Sequence, residues 1–186
     1  MSKPDITNAR FTFRRYADSA DVASLQSALD TIFFDASNTK SFASEEARAA
    51  FRERWLGRYL THDPQWAYIA QLGSGEVAGY LAGSLSDPAQ TPRFSDIPYF
   101  AAFKELTRQF PAHLHVNLAK GLRGQGLGSA LVQRFMRDAA EAGAPGVHIV
   151  TSRGARNVGF YTRNGFTEKC ATGEGLREVV FLGREI

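Results

Sequence analysis

The 186-residue sequence has little of what marks secreted, membrane or metal-binding proteins. A single cysteine, Cys170, excludes an internal disulfide and is typical of a protein in the reducing cytosol. Cys170 lies in a predicted strand, so we expect it to be a buried structural thiol. No apolar segment approaches the roughly 20 residues of a membrane span, and residues 1–5 begin nothing like a signal peptide. The four histidines are scattered, so we expect no metal site. These absences predict a cytoplasmic protein.

Charge of one sign is not concentrated anywhere in the chain. The 22 basic and 19 acidic residues are well mixed and leave a net charge of +3. Arg52, Arg54 and Arg58 are spaced as a solvated face, and no basic tail is present. We therefore expect neither a nucleic-acid nor a membrane partner.

The length of the chain is that of one ordinary domain, so we expect a single domain over residues 1–186.

The chain does contain a glycine-rich stretch between a predicted strand and a predicted helix. The strand covers residues 113–118, and glycines follow at 121, 124, 126 and 128. Leu127, Leu131, Phe135 and Ala139 then recur every four residues, which predicts one apolar helix face. Glycines let backbone N–H groups approach an anion, and the first N–H groups of a helix lie at its positive end. The layout therefore predicts a binding loop for a diphosphate.

Two families of phosphate-binding loop do not fit this stretch. A nucleoside triphosphatase loop needs a Gly-Lys pair, and the chain has none. The dinucleotide fingerprint Gly-x-Gly-x-x-Gly fails because, counted from Gly124, its third glycine would fall at Ser129. A dinucleotide-binding oxidoreductase is therefore disfavoured, and titration with NADH would test it.

A second motif follows the strand predicted at residues 147–151. Asn157 and Tyr161 are four residues apart, which places them on one face of a short helix. Asn164 and Gly165 end that helix, and Phe166 begins the next strand.

Further elements are predicted on both sides of these motifs. A strand at 11–16 precedes a helix that starts at Asp18, with Asp21 in its cap, and a second helix starts at Ser44 and carries Trp55 and Tyr59. A hairpin at 66–83 leads to an insert at 86–111 with one helix from about Asp96. The aromatic residues of this insert form a lid, pack on the sheet, or do both with different faces. Two strands close the chain.

The two motifs together resemble the signatures of the GNAT superfamily of acyl-CoA-dependent N-acyltransferases. Residues 123–128, Arg-Gly-Gln-Gly-Leu-Gly, resemble its Arg/Gln-x-x-Gly-x-Gly/Ala signature, and residues 155–166 resemble its second signature. The resemblance covers nearly the whole chain. It implies a single-domain α/β GNAT-like fold with a mixed, mostly antiparallel central sheet flanked by helices.

The resemblance also implies a function and a set of binding residues. The expected activity is direct transfer of an acetyl group from acetyl-CoA, the co-substrate, to a primary amine of a small molecule or peptide. The sequence leaves the oligomeric state open between a monomer and a homodimer, although homodimers are frequent in the family. The loop amides would hold the pyrophosphate, and the N–H near Leu118 would face the thioester oxygen. The implied coenzyme-binding residues are Leu118, Ala119, Arg123, Gly124, Gln125, Gly126, Leu127, Gly128, Ser129, Asn157 and Tyr161.

Catalytic roles follow for three residues. Tyr161 would protonate the departing thiolate, since a phenol stays protonated at neutral pH. His113 and His115, on one face of their strand, are candidates for the base, as arylalkylamine-type members carry a similar His-x-His. The His pair lies one residue nearer the loop arginine here than in those members, so a bulge in the strand would be needed to place the two histidines equivalently. Proton removal from the amine through a water molecule is an open alternative.

The alternative function is a non-catalytic acyl-CoA-binding sensor or interaction domain. In the family the first two helices flank the acceptor cleft, which makes Trp55 and Tyr59 candidate acceptor contacts.

Overall fold

A computed structural model describes residues 10–186 of the chain. The expectation about residues 1–5 lies outside this range. The strands are β1 (Phe11–Arg15), β2 (Ala67–Leu72), β3 (Val77–Ser84), β4 (Ala112–Leu118), β5 (Gly146–Ser152), β6 (Thr167–Thr172) and β7 (Val179–Glu185). The helices are α1 (Val22–Ala36), α2 (Glu45–Arg52), α3 (Arg58–His62), α4 (Pro98–Ala102), α5 (Lys104–Gln109), α6 (Leu127–Glu141) and α7 (Asn157–Arg163).

Within the described residues the strands form a seven-stranded sheet in the order β1-β2-β3-β4-β5-β7-β6. The pairs β1 with β2, β2 with β3, β5 with β7 and β6 with β7 are antiparallel. β4 and β5 are parallel, and a parallel pair needs a crossover, which α6 supplies. The expected α/β fold with a mixed, mostly antiparallel sheet flanked by helices is confirmed.

The chain divides into two compact units that share β4 and α6. The first contains the described residues up to Gly83 together with His115–Val132, and the second contains Ser84–Leu114 and Gln133–Ile186. The single-domain organisation stays a prediction.

In the first unit, α1 and a continuous helical run at residues 45–62 supply the apolar faces. Leu25, Leu29, Ile32 and Phe33 of α1 are buried at helical spacing. The run at 45–62 joins α2 to α3 through a π-helical segment, Glu53–Gly57, which the sequence pattern did not predict. Such segments shift the phase of a helix and are frequent at functional sites.

In the second unit, the aromatic residues of the insert pack into the core. Phe103, Phe110 and Phe181 form one buried cluster, and Phe94 and Phe100 are also buried. Glycines of β5 and β7 make room for Phe110, because a Cβ on Gly146 would lie 2.5 Å from its ring and one on Gly183 would lie 3.2 Å away. Of the two alternatives for the insert, the structure therefore favours packing over a lid.

Four expectations about local structure are wrong. α1 begins at Val22, because Asp21 caps it by accepting a hydrogen bond from the Ser24 N–H at 3.1 Å. The insert helix is two helices, interrupted where Phe103 leaves the helical conformation at φ −99° and ψ 17°. Cys170 is exposed, since β6 is the last strand of the sheet and its first four residues are all exposed. Arg58 is buried rather than solvated.

Membrane-spanning helices and clusters of metal ligands are both absent from residues 10–186. No helix there is both long and apolar enough to cross a membrane. Likewise, no group of three or more potential metal ligands comes together among residues 10–186.

Candidate active site

The glycine-rich loop between β4 and α6 is exposed and has the backbone of an anion-binding loop. Gly121, Gly124 and Gly126 have φ values of +88°, +77° and +81°, a region that glycine adopts without strain. A Cβ on Gly121 or Gly124 would meet no atom within 4 Å. Helix geometry leaves the N–H groups of residues 127–129 without intrahelical acceptors, and Ala130 makes the first bond, to the Gly126 carbonyl.

The Gln125 side chain connects this loop to itself and to Arg10 by hydrogen bonds. The Gln125 amide donates to the Gly121 carbonyl at 3.0 Å, and its oxygen accepts from the Arg10 guanidinium at 2.8 Å. Gln125 therefore positions the loop. Arg123 is exposed on the loop, where its charge can meet an anion.

The end of β4 gives different backbone roles to Leu118 and Ala119. The Ala119 N–H donates to the Ala78 carbonyl of β3 at 3.0 Å, and its carbonyl accepts from Leu122. Since successive residues of a strand direct their backbone groups to opposite edges, the backbone groups of Leu118 point away from β3. The close approach here needs Gly79, because a Cβ there would lie 2.5 Å from the Leu118 side chain.

These features fit the pyrophosphate of a coenzyme. The glycines keep side chains away from the backbone, the start of α6 offers N–H groups at its positive end, and Arg123 adds a positive charge. Leu127 and Gly128 are buried and Ser129 is half-buried, so these three residues would contribute chiefly their backbone N–H groups.

The C-terminal end of α7, which carries the second motif, fixes the position of Tyr161. The Phe166 N–H donates to the Tyr161 carbonyl at 3.1 Å, and the Gly165 N–H donates to the Thr162 carbonyl at 3.0 Å. Gly165 has a φ of +83°, and the Phe166 ring packs edge-on against the Tyr161 ring. This is a Schellman motif with its hydrophobic contact. The Asn-Gly-Phe sequence thus fixes the position of Tyr161.

Burial protects the proton of Tyr161. The residue is 5% exposed, and burial raises the pKa of its phenol well above the ordinary value. Its hydroxyl makes no hydrogen bond to a residue within 10–186. At neutral pH the phenol of Tyr161 is therefore protonated, and its O–H is not donated to any residue within 10–186.

Asn157 begins the same helix and is oriented by β5. Its side-chain oxygen accepts a hydrogen bond from the Thr151 hydroxyl at 2.9 Å. The residue is exposed, so its amide hydrogens can reach a ligand.

The two candidate bases lie in different surroundings. In the second unit, His113 is 3% exposed, donates from Nδ1 to the Pro111 carbonyl at 3.2 Å and stacks on His148. In the first unit, His115 Nε2 is hydrogen-bonded to the Tyr59 hydroxyl at 3.2 Å, and Trp55 packs edge-on against its ring. Burial, and secondarily the charge of Arg58, lower the pKa of His115 to about 4.

Two further polar pairs lie in the first unit. The Asn117 amide donates to the Tyr80 hydroxyl at 2.9 Å, and the Arg52 Nε donates to Asp30 at 2.7 Å. The sequence patterns did not indicate either pair. The one available signal is the alternation along β4, which places Asn117 on the same strand face as His115.

The predicted site residues are divided between the two units. The glycine loop and His115 belong to the first, whereas His113, Asn157 and Tyr161 belong to the second. Within the first unit the structure adds Tyr59 and Trp55 to His115.

Comparison with known proteins identifies the family. Residues 27–166 match the acetyltransferase (GNAT) family, so the chain belongs to this family and the predicted resemblance is confirmed. Its members are acetyltransferases that use acetyl-CoA.

Three solved structures share the fold. The crystal structure of SsHAT matches with a TM-score of 0.71 and 21% identity, over 95% of this chain and 98% of that one. Ribosomal-protein-alanine N-acetyltransferase from Brucella melitensis matches with a TM-score of 0.59 and 22% identity, over 94% and 99%. The NatC complex bound to Gag peptide and CoA matches with a TM-score of 0.64 and 11% identity, over 95% and 99%.

Proposed function

We propose that this protein is a cytoplasmic N-acetyltransferase that transfers an acetyl group directly from acetyl-CoA to a primary amine. The observation that carries the proposal is the glycine loop, with three left-handed glycines followed at once by the start of α6. Family membership supports the acetyl donor, and the hydrogen-bonded His115 and Tyr59 support a proton acceptor on the strand that leads into the loop.

Direct transfer makes simple demands on the residues. The amine nitrogen bonds to the acetyl carbon, the carbon–sulfur bond breaks, the nitrogen loses a proton and the thiolate gains one. The protein must therefore hold the coenzyme, accept one proton and donate another.

His115 is the better of the two candidates for accepting the proton. It is neutral at physiological pH because its pKa is about 4, and Tyr59 orients its ring. A base with so low a pKa is weak, but it suffices here, because a nitrogen becomes strongly acidic once its lone pair has bonded to the acetyl carbon. His113 is instead buried among aromatic rings and donates from Nδ1 to a carbonyl.

Tyr161 is the proposed proton donor. Its hydroxyl keeps its hydrogen at every physiological pH, and the Schellman motif that ends α7 fixes its ring. Asn157, oriented by Thr151, is a proposed contact for the coenzyme.

Thiol release from acetyl-CoA, measured with a chromogenic disulfide over a panel of primary amines, tests the proposal. We expect release that depends on an amine and rises with pH between pH 6 and pH 8, because the fraction of the primary amine that is unprotonated increases over this range while His115 is already neutral. Tight binding of acetyl-CoA without release in the presence of any amine would favour a non-catalytic acyl-CoA-binding domain instead.

A further inference from the structure

Arg10 contacts the glycine loop from the start of β1. Its Nη1 donates to the Gln125 side-chain oxygen at 2.8 Å, although the two residues are 115 positions apart in the chain. The Gln125 amide in turn donates to the Gly121 carbonyl at 3.0 Å, so the arginine is connected to the loop backbone through one side chain. The sequence patterns did not indicate this contact.

The order of the strands explains why Arg10 reaches the loop. β1 starts beside the end of β2, where Phe11 pairs with Leu72, and the end of β2 lies beside the start of β3. The Ala119 N–H, just after β4, donates to the Ala78 carbonyl near the start of β3. The start of β1 and the end of β4 therefore lie at the same end of the sheet, within the first unit.

The guanidinium of Arg10 is held in place but keeps most of its donors. Its central carbon lies 5.6 Å from the centre of the Phe11 ring, and Gln125 accepts from one terminal nitrogen only. The residue is exposed, and it forms no other side-chain hydrogen bond and no ion pair with a residue within 10–186. Because a guanidinium has five N–H donors, most of them remain available to a ligand.

The charges at this end of the sheet favour an anion. Lys120 and Arg123 are exposed on the loop, and residues 119–129 contain no acidic side chain. Glu76, in the turn between β2 and β3, is the one carboxylate among residues 10–12, 71–78 and 118–129, which meet here. Arg10 thus adds a third cation beside the loop, and its planar fork of donors matches the paired oxygens of a phosphate.

We propose that Arg10 binds a phosphate group of acetyl-CoA beside the glycine loop, so that the start of β1 completes the coenzyme site. The inference rests on the proposed function, because it adds a binding residue for the same co-substrate. Gln125 orients the guanidinium. The pyrophosphate and the 3′-phosphate of the coenzyme both offer the oxygens that a guanidinium binds, and the experiment below distinguishes them.

Calorimetric titration with acetyl-CoA compares wild type with Arg10→Gln and Arg10→Lys at about 0.05 M and about 1 M salt. Glutamine keeps a donor for Gln125 but has no charge, so Arg10→Gln should bind roughly tenfold more weakly at the lower salt concentration. Arg10→Lys keeps the charge and should lose less. Because salt screens the attraction between charges, the loss in Arg10→Gln should shrink at the higher salt concentration.

Arg15→Gln is the matched control, because it removes the same charge from the other end of the same strand. Arg15 is exposed, and its guanidinium carbon lies 5.8 Å from the centre of the Tyr68 ring, much as that of Arg10 lies over Phe11. Five strand residues separate the two arginines by about 16 Å, which exceeds the Debye length of about 10 Å at 0.1 M salt. Arg15→Gln should therefore keep the wild-type affinity at both salt concentrations.

Acetyl-CoA that lacks the 3′-phosphate identifies the phosphate that Arg10 binds. If Arg10→Gln loses the same factor in affinity for this compound as for acetyl-CoA, Arg10 binds the pyrophosphate. If the loss disappears, Arg10 binds the 3′-phosphate. Either result supports the inference, and thermal unfolding, which should not change at these exposed positions, shows that each variant is folded.

Two results would overturn the inference and leave the coenzyme site of the loop in place. One is an affinity of Arg10→Gln for acetyl-CoA equal to that of wild type. The other is an equal loss in Arg10→Gln and Arg10→Lys that does not change with salt, because it would show that Arg10 only supports the loop through Gln125. If the wild-type protein does not bind acetyl-CoA at all, the proposed function fails, and the inference fails with it.

Discussion

His113 and His115 are two residues apart on β4, yet their surroundings differ. Around His113 the insert supplies Phe94 and Phe100, and β5 supplies His148, so that aromatic rings enclose the imidazole. Around His115 the helical run supplies a hydroxyl from Tyr59 and an indole edge from Trp55. The residue type is the same in both places, and the elements packed against each half of the strand decide whether the imidazole meets only aromatic rings or also a hydroxyl, which is why we propose His115 rather than His113 as the base.

The glycines show the same contrast. Gly121, Gly124 and Gly126 have left-handed backbones in an exposed loop, where we propose that they serve a ligand. Gly146 and Gly183 have ordinary backbones, and they are glycines because Phe110 lies directly over them. Substitutions in the first set should therefore impair binding, and substitutions in the second set should impair stability.

The largest effect is expected for Gly126→Val. Its φ of +81° is strained for a β-branched residue, so the substitution should distort the loop backbone, and acetyl-CoA affinity should fall roughly a hundredfold or more while the fold is kept. Calorimetry and thermal unfolding measure the two quantities. Gly73→Val is the control, because a Cβ there meets nothing within 4 Å. Unchanged affinity in Gly126→Val would remove the assignment of the loop.

Tyr161→Phe should lower kcat by roughly a hundredfold, because it removes the proton donor but keeps the ring that packs on Phe166. Steady-state kinetics and coenzyme titration check this expectation, and the coenzyme affinity should stay close to that of wild type. A kcat equal to that of wild type would show that Tyr161 serves only packing.

Lowering the pH should test the half-buried imidazole of His115. Its folded pKa of about 4 is below the unfolded value near 6.5, so its contribution to stability is complete above pH 6.5 and is lost as the pH falls towards 4. Between pH 7 and pH 4, wild type should lose about 3 kcal/mol more of its free energy of unfolding than His115→Gln does. Urea unfolding measures the difference. His62→Gln, at an exposed position, should behave as wild type, and equal losses in all three proteins would contradict the prediction.

The smallest effect is expected at Gly146. A Cβ there would lie 2.5 Å from the Phe110 ring and 3.1 Å from the Gln109 carbonyl, so Gly146→Ala should lower the free energy of unfolding by roughly 1–3 kcal/mol. Acetyl-CoA affinity of the folded protein should not change. Urea unfolding beside Gly73→Ala checks the prediction, and equal stability of the two variants would refute the packing role.

Local features of this protein could be predicted from its sequence, and tertiary ones could not. The glycine loop and the end of α7 follow from residues that are adjacent in the chain, and both appear where the patterns place them. The partners Tyr59 and His115 are 56 residues apart, and Asp30 and Arg52 are 22 apart, so only the folded chain brings them together. The exposure of Cys170 could not be predicted, because alternation along a strand does not reveal that the strand is at the edge of a sheet.

Binding of acetyl-CoA to the wild-type protein, measured by calorimetric titration beside NADH, tests the central claim most directly. The glycine loop predicts saturable binding of acetyl-CoA and none of NADH. If neither acetyl-CoA nor longer acyl-CoAs bind, the loop is only a turn between β4 and α6, and the proposed acetyl transfer is contradicted.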